Sequence, residues 1–296
     1  MRIAIAGSSG LVGSRLVASL HSVGHDFIRL VRRPATEGEV EWRPNKGEID
    51  AGGLDGIDAI VNLAGENISQ GRWTAAKKQR IADSRIQSTE LLSKTLAAMS
   101  EGPRILINAS AIGYYGDRGD EELTENHEVG EGFLADVCQQ WEAATVEAER
   151  ADIRVVKLRI GVVLTPQGGA LRKMLLPFKL CAGGRVGSGQ QFWSWISIDD
   201  LIAVIRHVLS TDGLSGPVNA VSPQSVTNLQ FTKALGRVLG RPTVFPMPEF
   251  AAKMLLGEMA DTLLLASTRV LPHQLQESGY DFQHGDLETA LRHLLV

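Results

Sequence analysis

Residues 3–13 read IAIAGSSGLVG, an apolar run that gives way to glycines at 7, 10 and 13. Arg2–Ala6 has the composition of a buried strand. Leu11–Val23 repeats apolar residues at helical spacing, through Leu11, Val12, Leu16, Leu20 and Val23. A glycine at the strand end permits a tight turn, one in the middle lets backbone approach a pyrophosphate, and one in the first helical turn allows helix and strand to touch. Free N–H groups at such a helix start form an anion site. A turn that merely joins strand to helix would fit the same pattern. Its place after the first strand of an alternating chain favours the phosphate reading.

The alternation continues. Gly24 ends the first helix, and strands follow at Phe27–Val31, Ala59–Leu63, Arg104–Ala109 and Arg154–Arg159, separated by helical stretches at Thr74–Met99 and Phe133–Ala151. Strands joined by helices of this length predict parallel pairing with right-handed crossovers. The expected fold is α/β: a Rossmann-type doubly wound parallel sheet, with ligands at the carboxyl ends of its strands. Beyond Gly161 the pattern loosens. Residues 165–190 are rich in glycine around LRKMLLPFKL, and 249–296 read as helical with an extended piece at Tyr280–Phe282. The predicted division is a dinucleotide-binding domain over 1–164, rejoined by segments around 190–225, and a smaller C-terminal substrate lobe from 165–190 and 226–296.

The end of the second strand separates the two dinucleotides. A carboxylate there suits the ribose 2′-hydroxyl of NAD, and arginine suits the 2′-phosphate of NADP. Here the stretch is FIRLVRRP, with Arg32 and Arg33 at its tip. Asp26 stands at the strand's start, about 15 Å too early. A guanidinium fork offers paired, charge-assisted bonds to phosphate, so NADP(H) is the expected cofactor. Two solvated loop arginines are the plainer alternative.

Composition excludes more than it selects. With a net charge of −4 the chain has no general attraction for nucleic acid or an anionic membrane. Its two cysteines, Cys138 and Cys181, lie far apart, which fits a reducing compartment. No leader-like segment or bilayer-length apolar stretch is present, so a cytoplasmic location is expected. The seven histidines are scattered, no G-x-S-x-G elbow occurs, and neither a metal nor hydrolase chemistry is expected.

Several segments, in order, carry a family resemblance: GSSGLVG, NLAGENI, GYYGD, WEAA, LRIGVVL, PFKL, GSGQQFWSWI and GYDF. Together they resemble the "epimerase family protein" branch of the extended short-chain dehydrogenases/reductases, an atypical NADP-binding group. The likeness runs from Met1 to about Leu295. It implies that Gly7, Ser9, Gly10, Leu11 and Val12 lie against the pyrophosphate, and that Val31, Arg32 and Arg33 meet the adenosine phosphate. Leu63, Ala64, Gly65 and Glu66 would flank the adenosine and central ribose. Arg85, where many relatives carry asparagine, could reach a phosphate or be a surface residue. Ile160, Gly161 and Val162 would follow the strand that ends near the nicotinamide. A homodimer is in keeping with the superfamily.

The superfamily usually reduces carbonyls with a tyrosine and a lysine four residues later, whose charge lowers the tyrosine pKa. The chain has three tyrosines, Tyr114, Tyr115 and Tyr280, and the residues four beyond are Arg118, Gly119 and His284. On the helix expected to carry the pair, Phe133 and Val137, or Leu134 and Cys138, take the spacing. The candidate replacements are Ser110 at the end of the fifth strand and Tyr114 or Tyr115 just after it, with Arg118 or another cation nearby. Lys157 is expected at an edge or in solvent, and Asp199 and Asp200 as helix caps. A small-molecule substrate is expected between the lobes, where Trp193 and Trp195 could form an apolar wall or simply core. Arg172, Lys173, Lys179 and Arg185 could meet an anion there. The reading is an NADP(H)-dependent oxidoreductase or epimerase-like enzyme; the alternative is a non-catalytic NADP(H)-binding sensor or regulator.

Overall fold

The computed structural model describes all residues, 1–296. Its first half alternates as the apolar pattern requires: β1 (Arg2–Ala6), α1 (Leu11–Ser22), β2 (Asp26–Val31), β3 (Glu39–Arg43), β4 (Glu48–Ile49), β5 (Ala59–Asn62), α2 (Ala75–Ala97) and β6 (Ile105–Ala111). A short β7 (Glu122–Leu123) precedes α3 (Phe133–Ala143), α4 (Val146–Arg150), β8 (Arg154–Ile160), β9 (Val162–Leu164) and α5 (Gly169–Lys179). Then come β10 (Phe192–Trp193), β11 (Trp195–Ser197), α6 (Ile198–Ser210), β12 (Gly216–Ala220), β13 (Val226–Thr227) and α7 (Asn228–Leu239). The C-terminal stretch holds α8 (Glu249–Leu256), α9 (Glu258–Ala260), β14 (Arg269–Val270), α10 (His273–Glu277) and α11 (Leu287–Leu295).

Eight strands form one sheet in the order β12-β8-β6-β5-β1-β2-β3-β4. Every pairing in it is parallel except β3 with β4. The chain leaves β1 outward to β2 and β3, then returns to the other side of β1 at β5. The crevice between β1 and β5 is therefore the topological switch point, where α/β sheets place ligands. This is the Rossmann-type architecture expected.

Strand alternation distributes the core. Ile3 and Ile5 of β1 face α1 and α6, joining Leu16, Leu20, Leu201 and Ile205 in one apolar cluster. Ala4 and Ala6 face the opposite side, with Leu92, Leu96 and Ala148 from α2 and α4. A third cluster unites Leu171 and Phe178 of α5 with Trp193, Trp195, Phe231, Leu287 and Leu291. Both tryptophans are thus core residues, their indole N–H groups donating to the carbonyls of Leu264 and Gln224. No helix is long and apolar enough to cross a membrane.

Several local expectations change. The single helix over Phe133–Ala151 is two, parted at Ala144 and Thr145, where the Thr145 hydroxyl bonds back to the Glu142 carbonyl at 2.8 Å. Tyr280–Phe282 forms no strand; the Tyr280 hydroxyl anchors it on Asp200. Lys157 lies on β8, an interior strand, and its Nζ meets Glu149 at 2.7 Å. The cap of α6 is Ser197 rather than either aspartate. Asp200 is buried and holds the Gln283 and His284 N–H groups, while Asp199 pairs with Arg15.

Candidate functional site

The β1–α1 turn is built around absent side chains. Gly7 has φ +77°, and a Cβ there would stand 2.7 Å from the Leu63 carbonyl oxygen at the end of β5. A Cβ on Gly13 would run into the Gly7 carbonyl, so only glycine lets α1 begin this close to β1. Gly10 caps α1 without any side-chain hydrogen bond. The N–H groups of Leu11, Val12 and Gly13 consequently have no acceptor in the chain. They converge with the positive end of the helix dipole, a setting suited to phosphate oxygens. Ser9 is exposed beside them, and the Leu11 side chain packs on Gly168, where a Cβ would stand 2.9 Å away.

At the end of β2 the two arginines part company. Arg33 clasps Glu39 of β3 through both terminal nitrogens, at 2.7 and 2.6 Å. Hydrogen bonds from Arg33, and then from Thr36, hold the Glu39 carboxyl down to about 2. Arg33 is therefore spoken for, which corrects its expected phosphate role. Arg32, next to half-buried Val31, is exposed and enters no ion pair.

The β5 end supplies the opposite wall. The Leu63 N–H bonds to the Ala6 carbonyl at 3.0 Å, and that of Ala64 to the side chain of Asn62 at 3.2 Å. Glu66 accepts from Lys77 at 2.7 Å, which keeps its carboxyl below the usual range. Arg85 is neither a surface residue nor free. Its guanidinium lies flat on Gly65, bonds to the carbonyls of Glu66 and Ile81, and stands over the Trp141 ring at 5.1 Å. Burial lowers its pKa.

Ser110 ends up in a fully partnered cluster. Its hydroxyl donates to Glu142 Oε1 of α3 at 2.7 Å, and Arg159 of β8 grips both oxygens of that carboxylate at 2.9 Å. Arg159 also donates to the Tyr115 hydroxyl at 2.9 Å, which in turn donates to Asn219 Oδ1 at 2.7 Å. All five side chains are at least nine-tenths buried. Burial pushes the Tyr115 phenol up to about 12, against the pull of Arg159. Tyr115 is therefore a structural member of this network, not an accessible acid. Tyr114 lays its ring on the Arg159 guanidinium, 3.5 Å from Cζ to the centroid, and keeps its hydroxyl free of protein partners. The cation beside the tyrosines is thus Arg159, because Arg118 turns to Glu121 at 2.8 Å.

The helix expected to carry a tyrosine–lysine pair presents Leu134 and Cys138 to the Ile112–Tyr115 turn; both are near neighbours of Gly113. Phe133 instead packs on Trp73. The Cys138 thiol is buried beside Ser110, and burial raises it to about 11. Ile160 ends β8, a Cβ on Gly161 would crowd Val221, and the Val162 N–H bonds to the Ser194 carbonyl at 2.9 Å, so this stretch joins the sheet to the third apolar cluster. Three of the four cations expected to meet an anion are occupied with backbone carbonyls: Arg172 with Gln167, Lys173 with Ser69, Arg185 with Gly187 and Ser188.

Sequence reasoning missed Glu142 and Arg159, the pair that positions Ser110. The only available signal was an acid in WEAA and a base in LRIGVVL, neither marked by its neighbours. It also missed the ladder beneath the site, where Asn62, Asn108, Thr89 and the Trp141 indole satisfy one another within 3.0 Å.

The fold and the glycine turn together define an α/β protein of the extended Rossmann class. Residues 3–220 match the model of the NAD dependent epimerase/dehydratase family, and the chain belongs to that family. Residues 247–294 match a domain of unknown function, DUF1731. The chain is 47% identical over 290 residues to the epimerase family protein Mb2239 of Mycobacterium bovis, covering 98% of this chain and 96% of the relative. The crystal structure of human epimerase family protein SDR39U1 (isoform 2) with NADPH matches with a TM-score of 0.91 at 32% identity, over 99% of both chains. A nucleoside-diphosphate sugar epimerase from Corynebacterium glutamicum matches at 0.82 and 38% identity, over all of this chain and 58% of the other.

Proposed function

We propose that this chain binds NADP(H) and is an oxidoreductase or epimerase-like enzyme acting on a small molecule held between the sheet and the C-terminal lobe. The observation that carries the reading is the uncapped start of α1 together with the unpaired Arg32 at the tip of β2. The residues present fit the cofactor: a glycine cradle that any Cβ would fill, free N–H donors for a pyrophosphate and a free guanidinium for a 2′-phosphate. The human relative, solved with NADPH, supports it. NADP(H) supplies two-electron oxidation or reduction of a carbinol or carbonyl carbon.

The chain's own groups have distinct tasks. Ser110 spends its proton on Glu142 and has none to donate to a substrate. Arg159 fixes the Glu142 carboxylate and hence the serine rotamer. Tyr114, with its hydroxyl uncommitted, is the group free to exchange a proton with substrate.

Calorimetry with NADPH and NADH tests the binding claim. The wild type is expected to prefer NADPH, and Arg32→Ala to lose about 10–100-fold for NADPH only, the worth of a charge-assisted bond. Equal affinity of the wild type for NADH and NADPH contradicts the reading. A second reading, a non-catalytic NADP(H) sensor or regulator, is favoured by Leu134 and Cys138 standing at the tyrosine–lysine spacing. It predicts NADP and NADPH affinities that differ, and no turnover with any carbonyl compound. Turnover lost in Tyr114→Phe with an unchanged Tm decides for the enzyme.

A further inference from the structure

Away from this cleft, three metal-competent side chains converge where the C-terminal helix meets the sheet domain. Asp199 lies in the first turn of α6, His284 just before α11, and His293 in the last turn of α11. One donor atom from each lies within 4.8 Å of the other two. His293 Nε2 and Asp199 Oδ2 are 3.1 Å apart, and the two imidazoles stack at 4.2 Å with planes 20° apart, so the exposed His293 ring has to turn before both in-plane lone pairs meet one ion. The His284 Nδ1 is buried and has no hydrogen-bond partner in the chain, a condition that native interiors rarely leave unexplained.

The surroundings hold this group in place. Asp200, beside Asp199, is buried and accepts from the N–H groups of Gln283 and His284 at 2.9 and 3.0 Å and from the Tyr280 hydroxyl at 3.1 Å. The backbone at His284 is thereby tied to α6. Arg15 takes the other oxygen of Asp199, Oδ1, at 2.8 Å, which leaves Oδ2 turned to His293. Sequence spacing could not show this, because the ligands come from separate segments.

We propose that Asp199, His284 and His293 form a site for a divalent transition-metal ion, zinc above all, joining α11 to α6. Two imidazoles and one carboxylate are the donor set of borderline ions such as Zn2+, whereas Mg2+ and Ca2+ demand oxygen ligands. Ligands at about 2.0–2.1 Å from a tetrahedral zinc stand about 3.4 Å apart. The Asp199–His293 edge is already close to that. His293, exposed near the chain end, is the group able to swing the rest of the way. Water completes the coordination.

The full-length protein, stripped with EDTA and free of dinucleotide, is titrated with Zn2+ against a chromophoric chelator. One equivalent is expected to bind saturably and to raise the Tm. In His293→Ala, an exposed change that leaves the fold intact, affinity is expected to fall roughly 100-fold and the Tm shift to vanish, since each ligand carries a large share of the binding energy. Cys181→Ser, which removes the half-exposed thiol, is expected to bind as the wild type does. Absence of saturable uptake, equal uptake by His293→Ala, or loss of uptake in Cys181→Ser would each overturn the proposal. The titration needs no cofactor, so its failure leaves the NADP(H) reading untouched.

Discussion

Around the β1–α1 turn the polar groups stand open: three backbone N–H groups without acceptors and an arginine without a carboxylate. Around Ser110 the polar groups are matched to one another through Glu142, Arg159, Tyr115 and Asn219. The first region is held in shape by what is missing, glycines whose Cβ atoms would collide with neighbouring backbone. The second is held by charge taken out of water, which is stable only while both partners remain. Side-chain substitutions at the open end, the glycines apart, should therefore change binding and leave the fold alone, whereas substitutions at the closed end should change the fold first.

The largest effect expected is from Arg159→Met, which leaves the Glu142 carboxylate buried with the Ser110 hydroxyl but no counter-charge. Breaking such a pair costs about 3–5 kcal/mol, read as a lowered urea midpoint. An unchanged midpoint would mean the two regions do not differ in the way described. Replacing both members, Arg159→Met with Glu142→Leu, should recover much of the loss, because the cost lies in the stranded charge.

Next in size is an alkaline effect at Tyr115. Its folded pKa, about 12, is above the unfolded value, so its contribution is complete below pH 10 and is lost as pH rises from 10 towards 12. That contribution is about 2–3 kcal/mol. Burial raises Cys138 in the same direction, to about 11. Tyr115→Phe should flatten part of the decline in urea midpoint between pH 9 and 12. A decline of identical steepness in the variant would remove Tyr115 from the buried network.

The smallest effect separates two neighbouring arginines at the open end. Arg33→Ala removes an exposed pair with Glu39 and should barely alter either thermal stability or NADPH affinity. Arg32→Ala, one residue away, should weaken NADPH binding with no change in Tm. If the two variants weaken NADPH binding equally, the assignment of Arg33 to Glu39 is wrong in solution.

Much of the open end was legible because it depends on local order. Glycines at 7, 10 and 13, between an apolar strand and an apolar-periodic helix, specify a turn whatever the rest of the chain does. The difference between Arg32 and Arg33 was not legible, since both side chains carry the same charge and only β3 decides which meets Glu39. β3 and β4 themselves are short, and their alternation, Val40 and Trp42 inward, is too brief to stand out. The closed end was hardly legible at all. Glu142 and Arg159 are brought together by the packing of α3 on the sheet, and no spacing rule marks a helix residue and a strand residue as partners. The family resemblance pointed to Ser110 and to the helix beside it. It left open whether Phe133 and Val137 or Leu134 and Cys138 turned inward, because α3 buries residues of both registers.

The most direct test is a crystal structure of the protein soaked with NADPH. The account predicts the pyrophosphate on the N–H groups of Leu11 and Val12, the 2′-phosphate on Arg32, and the Ser110–Glu142–Arg159 bonds unchanged. A 2′-phosphate bound away from Arg32, or a pyrophosphate that does not touch the start of α1, would contradict it.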